Sequence, residues 1–163
     1  MKPFLIGMAS FLLAAMLYSF VHDYNLNRHA LNELRLTCEE ASAAGALFIQ
    51  NEDYSRGQKL FNKTESLKAI DAVMQEILKL DEDMNPVMGS YWRDTVQYSA
   101  YFYDDSNTVY PYSFEDPSTG FTTLVTEPTV IVTINAGKAR YAMTLLMNGP
   151  DTIRSAAHEW KER

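Results

Sequence analysis

From Pro3 to Val21 the chain carries no charged residue, and only Ser10, Tyr18 and Ser19 interrupt a run of Phe, Leu, Ile, Met, Ala, Gly and Val. A run of that length approaches the roughly 20 residues needed to cross a hydrocarbon core. A core helix of a globular domain would show a polar face, and this segment has none. A cleaved signal peptide would pair a basic start with a shorter apolar core and a small-residue cut site. Here Lys2 is the only basic residue ahead of the run, Leu13 and Ala15 fit the cut-site positions poorly, and Met16 to Val21 remain apolar beyond them. The pattern therefore predicts a retained transmembrane anchor over residues 1–21.

Beyond it, residues 22–50 contain no proline and keep an apolar stripe at Leu31, Leu34, Cys38, Ala41, Gly45 and Phe48. Steps of three and four place these on one helix face, with Arg35, Glu39 and Ser42 on other faces and Glu33 and Glu40 turned to solvent. A single helix from Pro3 to Ile49 would be about 70 Å long, with about 30 Å in lipid and the rest forming a stalk. Asp23, Asn25 and Asn27 are better caps than helix-interior residues, which predicts a bend or break just beyond the anchor. The small residues Ala41, Ala43, Ala44, Gly45 and Ala46 permit close backbone approach, either by a helix of a neighbouring subunit or by the protein's own sheet.

Residues 51–163 read as an α+β head. A polar stretch from Asn51 to Gln58 ends the first helix, and Thr64 is placed to cap a second, with Glu65 in its first turn and an apolar face at Leu67, Ile70, Met74 and Ile77. Asp81, Glu82, Asp83, Asn85 and Pro86 stop it. The period then changes to two: Val96, Tyr98, Ala100 and Phe102 alternate with Gln97, Ser99 and Tyr101, and Val130, Val132 and Ile134 alternate with Ile131, Thr133 and Asn135. Further strands are expected over Val109 to Phe114, at an edge because of Pro111, and over Phe121 to Thr126 after a turn at residues 116–120. Another pair, Arg140 to Met147 and Thr152 to Ala157, flanks the turn signal Asn148-Gly149-Pro150-Asp151, with a short helix over Tyr141 to Met147 as the alternative to the first of them. The expected whole is one long helix, a shorter helix and an antiparallel sheet with one face on the helices and the other wet.

Composition narrows the function more than the fold. With 163 residues and 47% apolar content, the chain supports one packed core. Its net charge of −7 offers no basic surface for a phosphate backbone, so nucleic acid is not an expected partner. Lys2 and the amino terminus on one side of the anchor face Arg28 and Arg35 on the other, so the positive-inside rule does not fix orientation. Without Lys2 the remaining 13 basic residues face 21 acidic ones, a charge of −8 that an anionic cytoplasmic leaflet would repel. That favours an extracytoplasmic head.

Candidate chemistry is sparse. Cys38 is the single cysteine, so no disulfide forms within the chain, and it reads as a small buried residue and not a reactive thiol. The three histidines, His22, His29 and His158, accompany no nucleophile motif. His22 and His29 supply at most half of a zinc shell, and Glu162 stands where a second zincin histidine would follow His158-Glu159. Acidic pairs at Asp104-Asp105 and Glu115-Asp116, and the run Asp81 to Asp83, match no calcium loop and read as solvated loop charge. No cofactor, metal site or enzymatic activity is expected. Tyr98, Tyr101, Tyr103, Tyr110 and Tyr112 form either a binding surface for protein or carbohydrate or simply good strand residues. Asn62-Lys63-Thr64 is a glycosylation triplet, meaningful only in a secretory eukaryotic setting.

The order of parts does resemble a known family. The stalk Asn27-Arg28-His29-Ala30-Leu31-Asn32-Glu33-Leu34, followed by Glu40-Ala41-Ser42-Ala43-Ala44-Gly45-Ala46, resembles the TadE-like minor pilins of bacterial tight-adherence pilus systems, and Thr129-Val130-Ile131-Val132-Thr133-Ile134 is similar in type to a pilin head strand. The resemblance implies a membrane protein, or a component of a cell-surface filament, that assembles with other pilin-like subunits or secretion-apparatus proteins. Its packing residues would be Gly7, Ala14, Leu31, Leu34, Cys38, Ala41, Ala44, Gly45 and Phe48. A cut between Gly7 and Met8 would place Leu12 where trimmed pilins carry a glutamate, a departure that points to a tip or accessory subunit or an unprocessed anchor. The rival expectation is a membrane-tethered binding domain presenting its tyrosine-rich sheet.

Overall fold

The computed structural model describes residues 2–142 and 150–161. Helix α1 (Lys2–Gly45) runs 44 residues, about 66 Å at 1.5 Å per residue, without a break. The break expected at Asp23, Asn25 and Asn27 is absent because two of these side chains are engaged by the head. Asp23 is buried and accepts the backbone N–H of Ala142 at 2.8 Å, and Asn27 accepts the Tyr141 hydroxyl at 2.7 Å. Residues that would compete with helical backbone in isolation are held here by partners over 110 positions away, at separations of 119 and 114.

After α1 the chain doubles back. Gln50 and Asn62 donate their N–H groups to Leu60 and Phe48, and a short helix α2 (Asn51–Tyr54) fills the loop between them. Helix α3 (Lys63–Leu78) is capped by Asn62, whose side chain accepts the Glu65 N–H, and not by Thr64, which lies inside the first turn. Its buried positions are Ser66, Ile70, Met74 and Leu78: Ile70 and Met74 lie on the face read from sequence, whereas Leu67 is exposed and Ile77 half-buried. The reason is contact: Ser66 Oγ donates to the Gly45 carbonyl at 2.7 Å, which turns that side of α3 onto the end of α1. Lys79, with φ of 54°, ends the helix in a left-handed cap.

The sheet consists of β1 (Gln97–Tyr103), β4 (Thr129–Asn135) and β5 (Ile153–Glu159), antiparallel in the order β1-β4-β5. A separate hairpin pairs β2 (Tyr112–Glu115) with β3 (Thr122–Val125), and Pro111, after a cis peptide bond, stands just before β2. Of the strand expected over 140–147, residues 143–147 lie outside the described residues, as does the Asn148-Gly149 part of its turn. Arg140 to Ala142 form a loop in which Arg140 donates through its N–H to Tyr91 and through Nε to Trp92.

The inner face of the sheet follows the alternation. Tyr98, Ala100 and Phe102 of β1 and Val130, Val132 and Ile134 of β4 pack with Leu34, Cys38 and Ala41 of α1, Ile70, Met74 and Leu78 of α3, and Trp92. The outer face is not wet as expected, because the β2–β3 hairpin covers it. Phe114, Val125 and Ile131 form a second core there, joined by Tyr103, Tyr110, Phe121 and Ala157. β4 is thus buried from Thr129 to Ile134 on both sides. At about 2 kcal/mol for each fully buried aliphatic side chain, Val130, Ile131, Val132 and Ile134 make it the most heavily invested strand.

Candidate functional site

Helix α1, expected as an anchor running on into a free stalk, divides in two. From Ala30 onward α1 is a layer of the head: Ala30, Leu34, Cys38 and Ala41 are each no more than 1% exposed. Gly45 is closely packed, and a larger residue there would require Ile70 and Val130 to shift. A Cβ at that position would lie 2.9 Å from Ile70 Cδ1 and 3.2 Å from Val130 Cγ1. Of the two occupants considered for the small-residue face, the protein's own sheet and α3 fill it at Ala41, Gly45 and Ala46, and Ser42, expected on another face, is buried beside them. Among the expected packing residues, Leu34, Cys38, Ala41 and Gly45 are consequently engaged within the chain. Leu31 and Ala44 are half-buried, and Phe48, beyond the end of α1, is 38% exposed.

The other half of α1 behaves differently. Phe4, Leu5, Ile6, Met8, Phe11, Leu12, Leu13, Met16, Leu17 and Phe20 are all exposed, and nothing lies within 4 Å of the site of a Cβ at Gly7. α1 is long and apolar enough in this half to cross a membrane, and none of its most apolar stretch is buried by the head. Gly7 and Ala14, two turns apart, lie open on it.

The five tyrosines do not share one surface. Tyr98 faces inward and donates its hydroxyl to Asp71 at 2.6 Å, and burial together with that carboxylate raises its pKa. Tyr103 and Tyr110 pack in the outer core, where Tyr110 donates to the Tyr103 carbonyl. Tyr101 and Tyr112 remain, 37% and 41% exposed, on either side of Phe114 and Tyr103.

Two aspartates read as solvated loop charge are instead buried, each in an Asp-x-Ser turn. Asp104 accepts the N–H and hydroxyl of Ser106 and the N–H of Phe61. Asp116 accepts from Ser118 N and Oγ, from Thr133 Oγ1 and from Ser155 Oγ, which pins the hairpin onto β4 and β5. Burial acts to raise the Asp116 pKa, but the hydrogen bonds from Ser118, Thr133 and Ser155 outweigh it and the carboxyl is held below its ordinary value. Glu33, expected in solvent, is partly buried. Its carboxyl is pushed up by that burial, against the opposing pull of the Lys79 ammonium and the Trp92 indole.

Cys38 is fully enclosed, donates to the Arg154 carbonyl at 3.3 Å, and has its thiol pushed up to about 12, chiefly by burial. A thiol so placed is a poor nucleophile. His22, His29 and His158 are exposed and apart from one another. Among the described residues, no group of three or more His, Cys, Asp or Glu side chains is placed to hold a metal ion.

Sequence reading missed a polar clasp at the junction of the two halves of α1. Asp23 and Asn27 are one turn apart and start the stripe that Ala30 and Leu34 continue, so the head begins with two polar contacts. The signal was present as an Asp and an Asn at i and i+4 directly after an apolar run. Beside the clasp is a cavity of about 370 Å³ lined by Phe20, Tyr24, Leu31, Lys138, Asp151 and Arg154 among others. Comparison with protein-family models, with curated proteins and with solved structures gives no match to this chain.

Proposed function

We propose that this chain is a membrane-anchored, pilin-like assembly subunit of a bacterial surface or secretion apparatus, working through helix packing and head contacts and not through catalysis. The observation that carries the reading is the division of one unbroken helix into an apolar half that projects free of the head and a half built into the head's core. The family resemblance of the stalk sequence supports it. A rigid connection of this kind transmits any change in the packing of the projecting half directly to the position of the head. Held in lipid, the projecting half moves laterally into a bundle, where Gly7 and Ala14 permit close approach by other helices. The acidic head then lies outside the cytoplasm.

The test is to replace Gly7 and Ala14 by leucine in the full-length protein and to recover partners from membranes and from material sheared off the cell surface. Both variants should lose co-purifying pilin-like subunits while the head stays folded. Undiminished recovery of the same partners would remove assembly through this face. A second reading, a tethered binding domain, draws support from the exposed Tyr101 and Tyr112 and predicts that Tyr101→Ala, and not Gly7→Leu, abolishes capture of a ligand.

A further inference from the structure

The cavity beside the clasp has a composition that the assembly reading does not use. Its wall on α1 is the stripe Phe20, Tyr24, Asn27 and Leu31, spaced four, three and four residues apart, which begins in the last turn of the apolar run. The opposite wall comes from the head: Lys138, Tyr141, Pro150 to Thr152, and Arg154. The α1 wall therefore brings two aromatic rings, and the head wall brings both cations. Two basic side chains are brought together here in a chain whose residues beyond the anchor carry −8.

Both cations stand on hydrogen-bonded backbone. Lys138 follows Gly137, whose φ of +63° and approach to Asp94 exclude a side chain, since a Cβ there would lie 2.7 Å from Asp94 Cβ. The Lys138 N–H donates to Asp94 Oδ2 at 3.0 Å. Arg154 stands on β5, one Nη donating to the Ile153 carbonyl. Among the described lining residues Asp151 is the one carboxylate, 4.0 Å from the Lys138 ammonium, while Asp23, beneath the Tyr141 wall, is engaged by the Ala142 N–H. Tyr141 spends its hydroxyl on Asn27 and offers its ring to the cavity wall.

We propose that this cavity holds the headgroup of an anionic phospholipid, with the phosphate between Lys138 and Arg154 and the glycerol and upper acyl chain along Phe20 and Tyr24. The inference rests on the membrane-anchor reading, because it is the continuity of the Phe20–Tyr24 wall with the apolar half of α1 that puts the cavity mouth at the bilayer surface. Aromatic side chains at that level are at home in the interface, and basic side chains near it are drawn to anionic lipid. A bound lipid would fix the tilt of the head over the membrane, the variable that assembly through a rigid helix depends on.

The test uses the full chain reconstituted into nanodiscs of equal parts phosphatidylcholine and phosphatidylglycerol, then extracted into mild detergent, with the retained lipid measured by mass spectrometry. The wild-type chain should retain phosphatidylglycerol in clear excess. Replacing Lys138 and Arg154 together by Gln should cut that excess about tenfold, the scale of losing charge-assisted contacts to phosphate, with insertion unchanged. Lys68→Gln, on the exposed face of α3, should not alter it. Continued protection of Cys38 from alkylation shows that the head remains folded. If the double variant exposes Cys38, Tyr24→Ala takes its place, and undiminished retention by Tyr24→Ala then counts against the site. A chain that enters the discs and retains the two lipids in proportion overturns the lipid site alone, whereas one that fails to enter them overturns the anchor reading as well. Displacement of the lipid by inorganic phosphate would reassign the cavity to a free anion and overturn the proposal.

Discussion

The two halves of α1 share a backbone and little else. In the first, apolar side chains surround the helix and stay exposed. In the second, they are confined to one stripe, and there Ala30, Leu34, Cys38 and Ala41 are sealed from solvent. A helix that is apolar all round suits lipid, and one with a single apolar stripe suits a protein core with water on its other side. The comparison teaches that hydrophobicity by itself does not report on the head's stability. What counts is whether an apolar residue loses water when the chain folds.

That contrast can be broken most directly by making the same change in each half. Leu34→Ala opens a cavity in the inner core, between α1 and the sheet, and should cost the head about 3 kcal/mol in denaturant unfolding of the detergent-solubilised chain. Leu13→Ala, on the exposed half, should shift it by less than about 0.5 kcal/mol. Equal effects would mean that the projecting half packs on the head in solution.

A second comparison sharpens the first, because the head has an apolar inner core and an outer core fastened by a charge. Asp116→Asn leaves the size of the side chain unchanged and removes the charge that Ser118, Thr133 and Ser155 are arranged to satisfy, with an expected loss of about 2 kcal/mol at neutral pH. The folded-state pKa of Asp116 lies below its unfolded value, so its contribution is present above the ordinary aspartate range and is lost as the pH falls through the depressed folded value. The variant should therefore show a shallower decline in stability on acidification. An acid limb as steep as that of the wild type would assign it to other carboxylates.

How much of this was legible follows the range of the interactions. α1, β1 and β4 were announced by periodicity and β3 by the turn before it, both local properties, as was the change from helix to sheet after Tyr91. The continuity of α1 through Asp23 and Asn27 was not, because its cause lies at Tyr141 and Ala142, across the whole domain. β4 read as half-buried because an alternating pattern is also compatible with a strand covered on both faces. Only the folding of the β2–β3 hairpin over Ile131 and Thr133 decides between them. The buried aspartates looked like solvated charge since an Asp-x-Ser turn gives no local sign of what packs above it. Of the candidate packing surface, sequence identified residues that accept close approach but could not say which neighbour approaches. The fold supplies one for Ala41 and Gly45, and leaves Gly7 and Ala14 open.

The clasp at the boundary provides a smaller test. Tyr141→Phe deletes the hydroxyl that Asn27 accepts while keeping the ring, and should cost about 1 kcal/mol, the net worth of one partly buried hydrogen bond. Hydrogen exchange should quicken at the Ala142 amide before it quickens in β4. A uniform acceleration across both would show that the clasp opens only with the whole head and does not act as a separate hinge between its two neighbours.

The smallest effect is expected at Cys38 and appears only in alkali. Its thiol has a folded-state pKa pushed up to about 12 against an ordinary value of 9.0, so at neutral pH it is protonated in both states and contributes no pH dependence. As the pH rises past 9.0, the unfolded chain releases this proton and the folded chain keeps it, which favours unfolding. By pH 9.5 the loss should be just under about 1 kcal/mol. Cys38→Ala should remove that part of the alkaline limb, seen as the difference between the two stability profiles and so free of the tyrosines common to both. A cysteine placed instead at Ala14, on the exposed half of α1, should titrate without any such coupling to the head's stability. Should Cys38 and the introduced thiol alkylate at the same rate in the folded protein, the division between a half that faces its own core and a half that faces outward would not hold.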